Sequence, residues 1–153
     1  MSTTLYDTDF NAWTLDQAAR LRQAGGSGAK ASGLDWDNIA EEIESMARSE
    51  RSEIENRLTQ LLFHLAKLAW CADQPPRRGW KVTVNEQRRG LQRVLTASPS
   101  LRHHPATILA DCWATARDRT EADLNLPENT LPETCPWSLD DQVLNQAWLP
   151  PSP

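Results

Sequence analysis

The 153-residue sequence predicts an all-α protein, a helical bundle of four main helices with one long central helix and a short C-terminal helix. Residues 35–72 contain no proline or glycine and carry apolar residues at steps of three and four, which is typical of a helix. Segments rich in proline or glycine divide the remainder into shorter helix-length stretches. No stretch alternates apolar and polar residues like a strand. We therefore expect a single helical domain over residues 1–153.

The first helix is predicted within residues 1–24. Thr8 or Asp9 suits its N-cap, because a side-chain oxygen there can accept a backbone N–H of the first turn. Its short apolar face comprises Phe10, Trp13, Ala18 and Leu21. The glycines that follow predict a flexible loop over residues 25–34 that ends the helix. No strand precedes this loop and its glycine spacing fits no nucleotide-binding pattern, so a phosphate site is not expected there.

The central helix is predicted to begin at an Asp35 or Asp37 cap and to be either continuous or hinged near residues 48 and 49. Its apolar face is predicted to be buried and comprises Ile39, Ile43, Met46, Ile54, Leu58, Leu61, Leu65 and Leu68. Glu50, Arg57 and His64 follow one another at seven-residue steps within this face. Burying a charge costs several kcal/mol unless it is paired, so these residues are either paired inside the bundle or line a cleft.

Ordinary explanations exist for two members of this polar series. Glu44 with Arg48 and Glu53 with Arg57 have the four-residue spacing of ion pairs on a helix surface. A single histidine on an apolar face is more often a core residue bonded to a nearby acceptor than a ligand.

The prolines and glycine of residues 73–79 predict a break, followed by a helix over residues 80–97. Gln87 and Arg88 lie on the side of that helix that carries its apolar residues. If it packs antiparallel to the central helix, both could face Glu50 or His64. The sequence thus indicates one candidate polar cluster, formed by Glu50, Arg57, His64, Gln87 and Arg88.

Ser98 and Pro99 predict a turn, and the fourth helix is predicted from near His104 to about Leu124. An extended proline-rich segment, residues 126–137, then precedes a short helix that Ser138 and Asp141 open as a capping box and that ends near Gln146. A tail follows over residues 149–153. His103 with His104 is not expected to bind a metal, and the three separated cysteines are expected to be free thiols.

Charge is distributed unevenly along a chain whose net charge is −5. Residues 35–56 carry −6, residues 77–102 carry +6 and residues 111–153 carry −6. The acidic and basic helices are expected to lie near each other, but the basic stretch also suits phosphate contacts. The residues of this nucleic-acid alternative are Arg77, Arg78, Lys81, Arg88, Arg89 and Arg93.

Several motifs, in order over about residues 5–150, resemble the bacterial family known as domain of unknown function 29. They include Tyr6-x-x-Asp9-Phe10-x-x-Trp13, the run from Asn38 to Met46, His64-Leu65-x-Lys67, Ser98-Pro99-Ser100-Leu101 and Cys135-Pro136-Trp137. The resemblance implies an all-helical, single-domain, cytoplasmic bacterial protein. It implies no activity, cofactor or catalytic residue.

Three functions are compatible with the sequence. The favoured one is a helical interaction or regulatory protein without catalysis, which binds a protein partner or forms a homodimer. The second is nucleic-acid binding, and the third is an enzyme or metal site on the polar cluster. In that site Glu50 acts as base, His64 as acid or metal ligand, and Arg57 or Arg88 as anion clamp. No cofactor and no metal are expected. A cytoplasmic location is expected because no apolar run approaches the 20 residues of a membrane span and no signal peptide is evident.

Overall fold

The structure, a computed structural model, describes residues 4–27 and 33–153. Within these ranges the chain is helical and has no β-strand, which confirms the all-α prediction. The α-helices are α1 (Leu5–Thr8), α2 (Phe10–Gly26), α3 (Trp36–Trp70), α4 (Gln74–Ala97) and α5 (His104–Asp123). A 3₁₀ turn spans Pro99–Leu101 and a π-helical turn spans Leu139–Val143. No helix in the described ranges is long and apolar enough to cross a membrane.

The long helix α3 is continuous through residues 48 and 49, so no hinge divides it. Asp35 caps it as predicted, because its carboxylate accepts the backbone N–H of Asn38 at 3.3 Å and the Asn38 side-chain amide at 2.6 Å. The absence of proline and glycine from the α3 sequence leaves every turn free to form its hydrogen bonds.

Two compact units are distinguished within the chain. The first consists of residues 1–53 and 94–102, and the second of residues 54–93 and 103–153. The prediction of a single domain over residues 1–153 stays a prediction.

In the first unit, Asp9 joins the starts of two helical segments. Its side chain caps α2 by accepting the N–H of Ala12 at 2.9 Å, which confirms Asp9 as the predicted cap. It also accepts the N–H of Ser100 at 2.6 Å, in the first turn of the 3₁₀ segment. One carboxylate therefore satisfies the free N–H groups at two helix starts.

The apolar face predicted for the N-terminal half of α3 is wrong in part. Ala40 and Ala47 are buried, whereas Ile39 and Met46 are exposed. The Asn11 side chain of α2 donates to the carbonyl of Ala47 at 3.2 Å, so α2 reaches the backbone of α3 at this point. Small side chains permit that approach, and the larger apolar residues next to them are consequently turned toward solvent.

The prediction that Gly25 and Gly26 end the first helix is also wrong, since both belong to α2. Gly25 is buried against Trp36, where a Cβ atom on the glycine would lie 2.6 Å from the Trp36 Cβ. The glycine is thus required by close packing, not by a turn. Of the predicted loop over residues 25–34, positions 28–32 lie outside the described residues, and Gly33 has φ +72°.

The second unit has the larger apolar core. The C-terminal half of α3 buries the predicted residues Ile54, Leu58, Leu61, Leu65 and Leu68, and also Leu62 and Ala66. The other apolar core residues are Val84, Leu91, Cys112, Trp113, Ala116, Leu131 and Val143. This half of α3 therefore follows the expected pattern of one broad apolar face.

The break predicted over residues 73–79 is shorter than expected. Only residues 71–73 interrupt the helices, and Pro75 and Pro76 lie in the first turn of α4. First-turn N–H groups have no partner within the helix, so a proline there loses no hydrogen bond. The two prolines consequently start α4 and do not prevent it.

The chain after α4 follows the prediction as far as α5, and the C-terminal helix differs from it in its cap and its end. Ser98 and Pro99 open the 3₁₀ turn, and α5 begins at His104 as expected. The predicted capping box of Ser138 is wrong, because its side chain makes no capping bond and its N–H donates to the Gln142 side chain at 2.8 Å. The short C-terminal helix is a single π-helical turn that ends at Val143.

Replacing Gly25 by alanine should destabilise the protein by about 1–3 kcal/mol, because the new methyl group overlaps Trp36 and neither backbone can easily retreat. The matched control is Gly26→Ala, where a Cβ meets nothing within 4 Å. That variant should leave stability unchanged or raise it by up to about 1 kcal/mol. Urea unfolding of the two variants checks this, and equal stabilities would contradict it.

Candidate functional site

The five residues of the predicted polar cluster divide between the two compact units. Glu50 belongs to the first, and the other four belong to the second. Each of the five makes hydrogen bonds inside its own unit.

Glu50 is half-buried at the centre of a small network. Its carboxylate accepts the Ser98 hydroxyl at 2.9 and 3.0 Å and the Asn11 side-chain amide at 3.3 Å. The Ser98 oxygen in turn accepts the backbone N–H of Asn11 at 3.0 Å, in the first turn of α2. Asn11 and Ser98 are both almost fully buried. The sequence did not indicate either as a partner of Glu50, since they lie 39 and 48 positions away along the chain.

Arg57 donates to the side-chain oxygen of Gln87 at 3.2 Å, which brings together two members of the predicted cluster. Gly90, one turn further along α4, leaves room for the guanidinium, because a Cβ at that position would overlap it. A glycine inside a helix is otherwise unfavourable, so its presence here has a packing reason.

His64 is half-buried and its Nδ1 lies 2.8 Å from the carbonyl oxygen of Gln60, one turn earlier in α3. A carbonyl only accepts, so Nδ1 carries a proton. Burial lowers the pKa of His64 below 6.5; the Gln60 bond opposes that shift, and the charge of Lys67 adds to it. Lys67 pairs with Asp123 at 3.3 Å and lies over the rings of Phe63 and Trp80. The imidazole is therefore a neutral, backbone-bonded group at neutral pH.

Arg88 is 2% exposed and donates to three backbone carbonyls of the C-terminal segment. The acceptors are Val143 and Trp148 at 2.8 Å each and Gln142 at 3.1 Å. Burial lowers the pKa of Arg88 to about 10, which leaves it charged at neutral pH. Arg88 therefore bonds to the C-terminal segment and not to Glu50 or His64, the partners suggested by the sequence. Its role is to hold the end of the chain in place.

Arg77 is buried in a comparable way. It donates to the carbonyls of Leu68 at 2.8 Å and Cys71 at 2.6 Å, at the C-terminal end of α3, and to the Ser152 hydroxyl at 2.8 Å. A cation is favourable at this end of a helix, where carbonyls lack partners. Two of the six basic residues of the nucleic-acid alternative are therefore inside the protein. The other four, Arg78, Lys81, Arg89 and Arg93, are exposed.

The acidic half of α3 is partly neutralised within the first unit. Arg22 pairs with Glu44 at 2.5 Å and Glu41 at 3.3 Å, and Arg48 pairs with Glu41 at 2.6 Å. The predicted Glu44–Arg48 pair is thus replaced by two others. Glu44 pairs with Arg22 of α2, and Arg48 pairs with Glu41, seven residues earlier in α3.

An acidic cavity adjoins the loop after α5 and is lined by Asp118, Glu121 and Glu128. Burial alone would raise the pKa of Glu121, but the N–H groups of Leu131, Thr130 and Asn129 and the charge of Arg117 hold it below 4.5. Its carboxylate accepts the N–H of Thr130 at 2.6 Å, so it anchors the loop. These three carboxylates do not form a metal site, since no His, Cys, Asp and Glu side chains in the described part of the chain are grouped so that three could hold a metal ion.

Exposed apolar residues are concentrated in the first unit. Eight large apolar side chains are exposed among the described residues, and six belong to that unit. The six are Leu5, Tyr6, Leu15, Leu34, Ile39 and Met46. Exposed apolar side chains mark an interaction surface where they form a contiguous patch, and most of those described here belong to the first unit.

These helices and their backbone-anchored polar residues define an α-helical protein. The chain belongs to the family described as domain of unknown function DUF29, whose model matches residues 5–149. The resemblance found in the sequence is thereby confirmed.

One solved structure is similar over nearly the whole length. It is an α-helical protein of unknown function from Rhodospirillum rubrum ATCC 11170, with 25% identity and a TM-score of 0.73, and the match covers 96% of this chain and 93% of that one. Among curated proteins, no sequence matches this chain.

Replacing Ser98 by alanine should destabilise the protein by about 1–3 kcal/mol, because the buried Asn11 N–H loses its acceptor and Glu50 loses a donor. Ser100→Ala is the matched control, since it removes an exposed hydroxyl that bonds Asp9 and keeps the Ser100 N–H. Its cost should stay below about 1 kcal/mol. Chemical denaturation compares the two, and an equal cost would refute the central role of Ser98.

Acidification should destabilise the protein through His64. Its pKa is lowered in the folded state, so the unfolded state binds the proton first as pH falls below 6.5 and gains in population. A His64→Asn variant keeps a donor for Gln60 but does not titrate, and should lose less stability between about pH 7.5 and about pH 5. Urea unfolding at both values checks this, and an equal loss in variant and parent would contradict it.

Proposed function

We propose that this protein acts by binding a protein partner, through the exposed apolar side chains of the first unit. The main supporting observation is that Ile39 and Met46 are exposed on α3, although their spacing places them on its predicted apolar face. Exposing such groups is unfavourable by about 25 cal/mol per Å² of apolar surface. A partner that covers them recovers this free energy.

The state of the polar cluster supports binding over catalysis. Glu50, His64 and Arg88 are each bonded to groups of the protein itself. An anion clamp acts by contacting a substrate, and the buried Arg88 guanidinium would first have to leave the three backbone carbonyls to which it donates. This favours the interaction hypothesis over the enzyme or metal alternative.

A bacterial, cytoplasmic setting is part of the proposal. The three cysteines are free thiols, which suits a reducing compartment. The similar solved structure comes from a bacterium.

A photo-crosslinking amino acid at position 39 or 46 tests the proposal in bacterial cells. Both positions should give the same discrete adduct, and mass spectrometry identifies the protein attached. The control position is Asp118, an exposed residue of α5, which should give no such adduct. The adduct formed from position 46 should disappear when Ile39 is replaced by aspartate. Failure of both positions to form any protein adduct would overturn the proposal.

A further inference from the structure

An acidic strip lies along the start of α3. Asp35, Ile39, Glu42 and Met46 follow one another at steps of four and three, so they share one side of the helix, and all four are exposed. The strip is about 17 Å long, from the rise of 1.5 Å per residue. The Glu42 carboxylate has no ion-pair partner among residues 4–27 and 33–153. Acidic and apolar side chains therefore alternate on an open helix surface.

A basic strip lies along α4. Arg78, Val82, Arg89 and Arg93 share one side of the helix at helical spacing, with Lys81 at its edge, and all five are exposed. Val82 is 53% exposed, more than any other large apolar residue described except Tyr6. The strip is about 22 Å long. Its four cations have no carboxylate ion-pair partner in the described ranges. The one acid of α4, Glu86, is exposed at the other edge of the strip, four residues after Val82.

We propose that the acidic strip of one molecule binds the basic strip of a second copy of this chain. The inference rests on the proposed function and names the partner. The two strips have opposite charge, comparable length and apolar residues among the charged ones. Opposite potentials on two surfaces direct association and fix its register, while apolar contacts between them add affinity. If each copy offers both strips to the other, the contact closes as a symmetric dimer.

Nucleic acid is the other class of partner that a basic strip can bind, and one observation favours a protein. Val82 is 53% exposed in the middle of the strip, where a phosphate backbone offers nothing apolar to cover it.

Sedimentation equilibrium of the purified full chain at low and high salt tests the proposal. Self-association should be present at about 0.05 M ionic strength and should weaken about tenfold or more at about 0.5 M, because salt screens exposed charges. Glu42→Lys with Met46→Lys makes both strips basic, and Arg78→Glu with Arg89→Glu and Arg93→Glu makes both strips acidic. Each variant alone should be monomeric. Asp118→Lys changes an exposed charge outside both strips and should associate like the parent.

Mixing the two charge-reversed variants provides the decisive test of the pairing. A chain with two basic strips should bind a chain with two acidic strips, and a chain that carries all five substitutions should again self-associate. Circular dichroism and thermal melting establish that each variant is folded. Loss of association that mixing does not restore would overturn the proposal, since it would show a contact that does not depend on this pairing of strips.

A parent chain that stays monomeric at low salt would also overturn the proposal. So would binding of a single-stranded oligonucleotide by a monomeric chain, lost in Arg78→Glu with Arg89→Glu and Arg93→Glu. The broader proposed function, binding of a protein partner, is tested separately by the cross-linking experiment. A cross-linked adduct with a different protein would uphold it while this inference falls, and the absence of any adduct would remove both.

Discussion

The structure depends on one constraint, that every buried charged group must have hydrogen-bond partners. Arg88 shows it most clearly, because this buried cation donates to backbone carbonyls of the C-terminal segment. A charged group that leaves water must be given partners, or its burial costs several kcal/mol. No buried side-chain nitrogen or oxygen among the described residues lacks a hydrogen bond. In the first unit the same need is met by Ser98 and Asn11 around Glu50, at the start of α2. Polar burial therefore fixes helix ends and the path of the tail.

The helices could be predicted because their signals are local. The apolar period of α3, the Asp35 and Asp9 caps and the start of α5 all depend on neighbours within a turn or two. Two of the errors arose where a distant residue decides the outcome. Position 25 must be glycine because Trp36 occupies the space where a side chain would be, and Ala47 is buried where Asn11 bonds to its carbonyl.

The candidate site was harder to predict for the same reason. Seven-residue spacing correctly drew attention to Glu50, Arg57 and His64 as polar groups that are at least half-buried. Spacing on one helix does not identify partners on others, so the bonds of Glu50 to Ser98 and of Arg88 to Val143 had no sequence signal. The Arg57 contact with Gln87 joins two members of the predicted cluster.

The basic residues of α4 show that a net charge counted along the sequence does not tell which cations are exposed. Their positions in the helical period do. Arg77 and Arg88 are eleven residues apart, close to three full turns, and so lie on the side that also carries the buried Val84 and Leu91. Arg78, Arg89 and Arg93 lie on another side, away from that core. The +6 charge of residues 77–102 is therefore divided between cations that hold the chain together and cations that remain available to a partner. An exposed valine among the available ones makes a protein surface the better complement, because ion pairs at an exposed contact contribute little unless apolar area is covered with them.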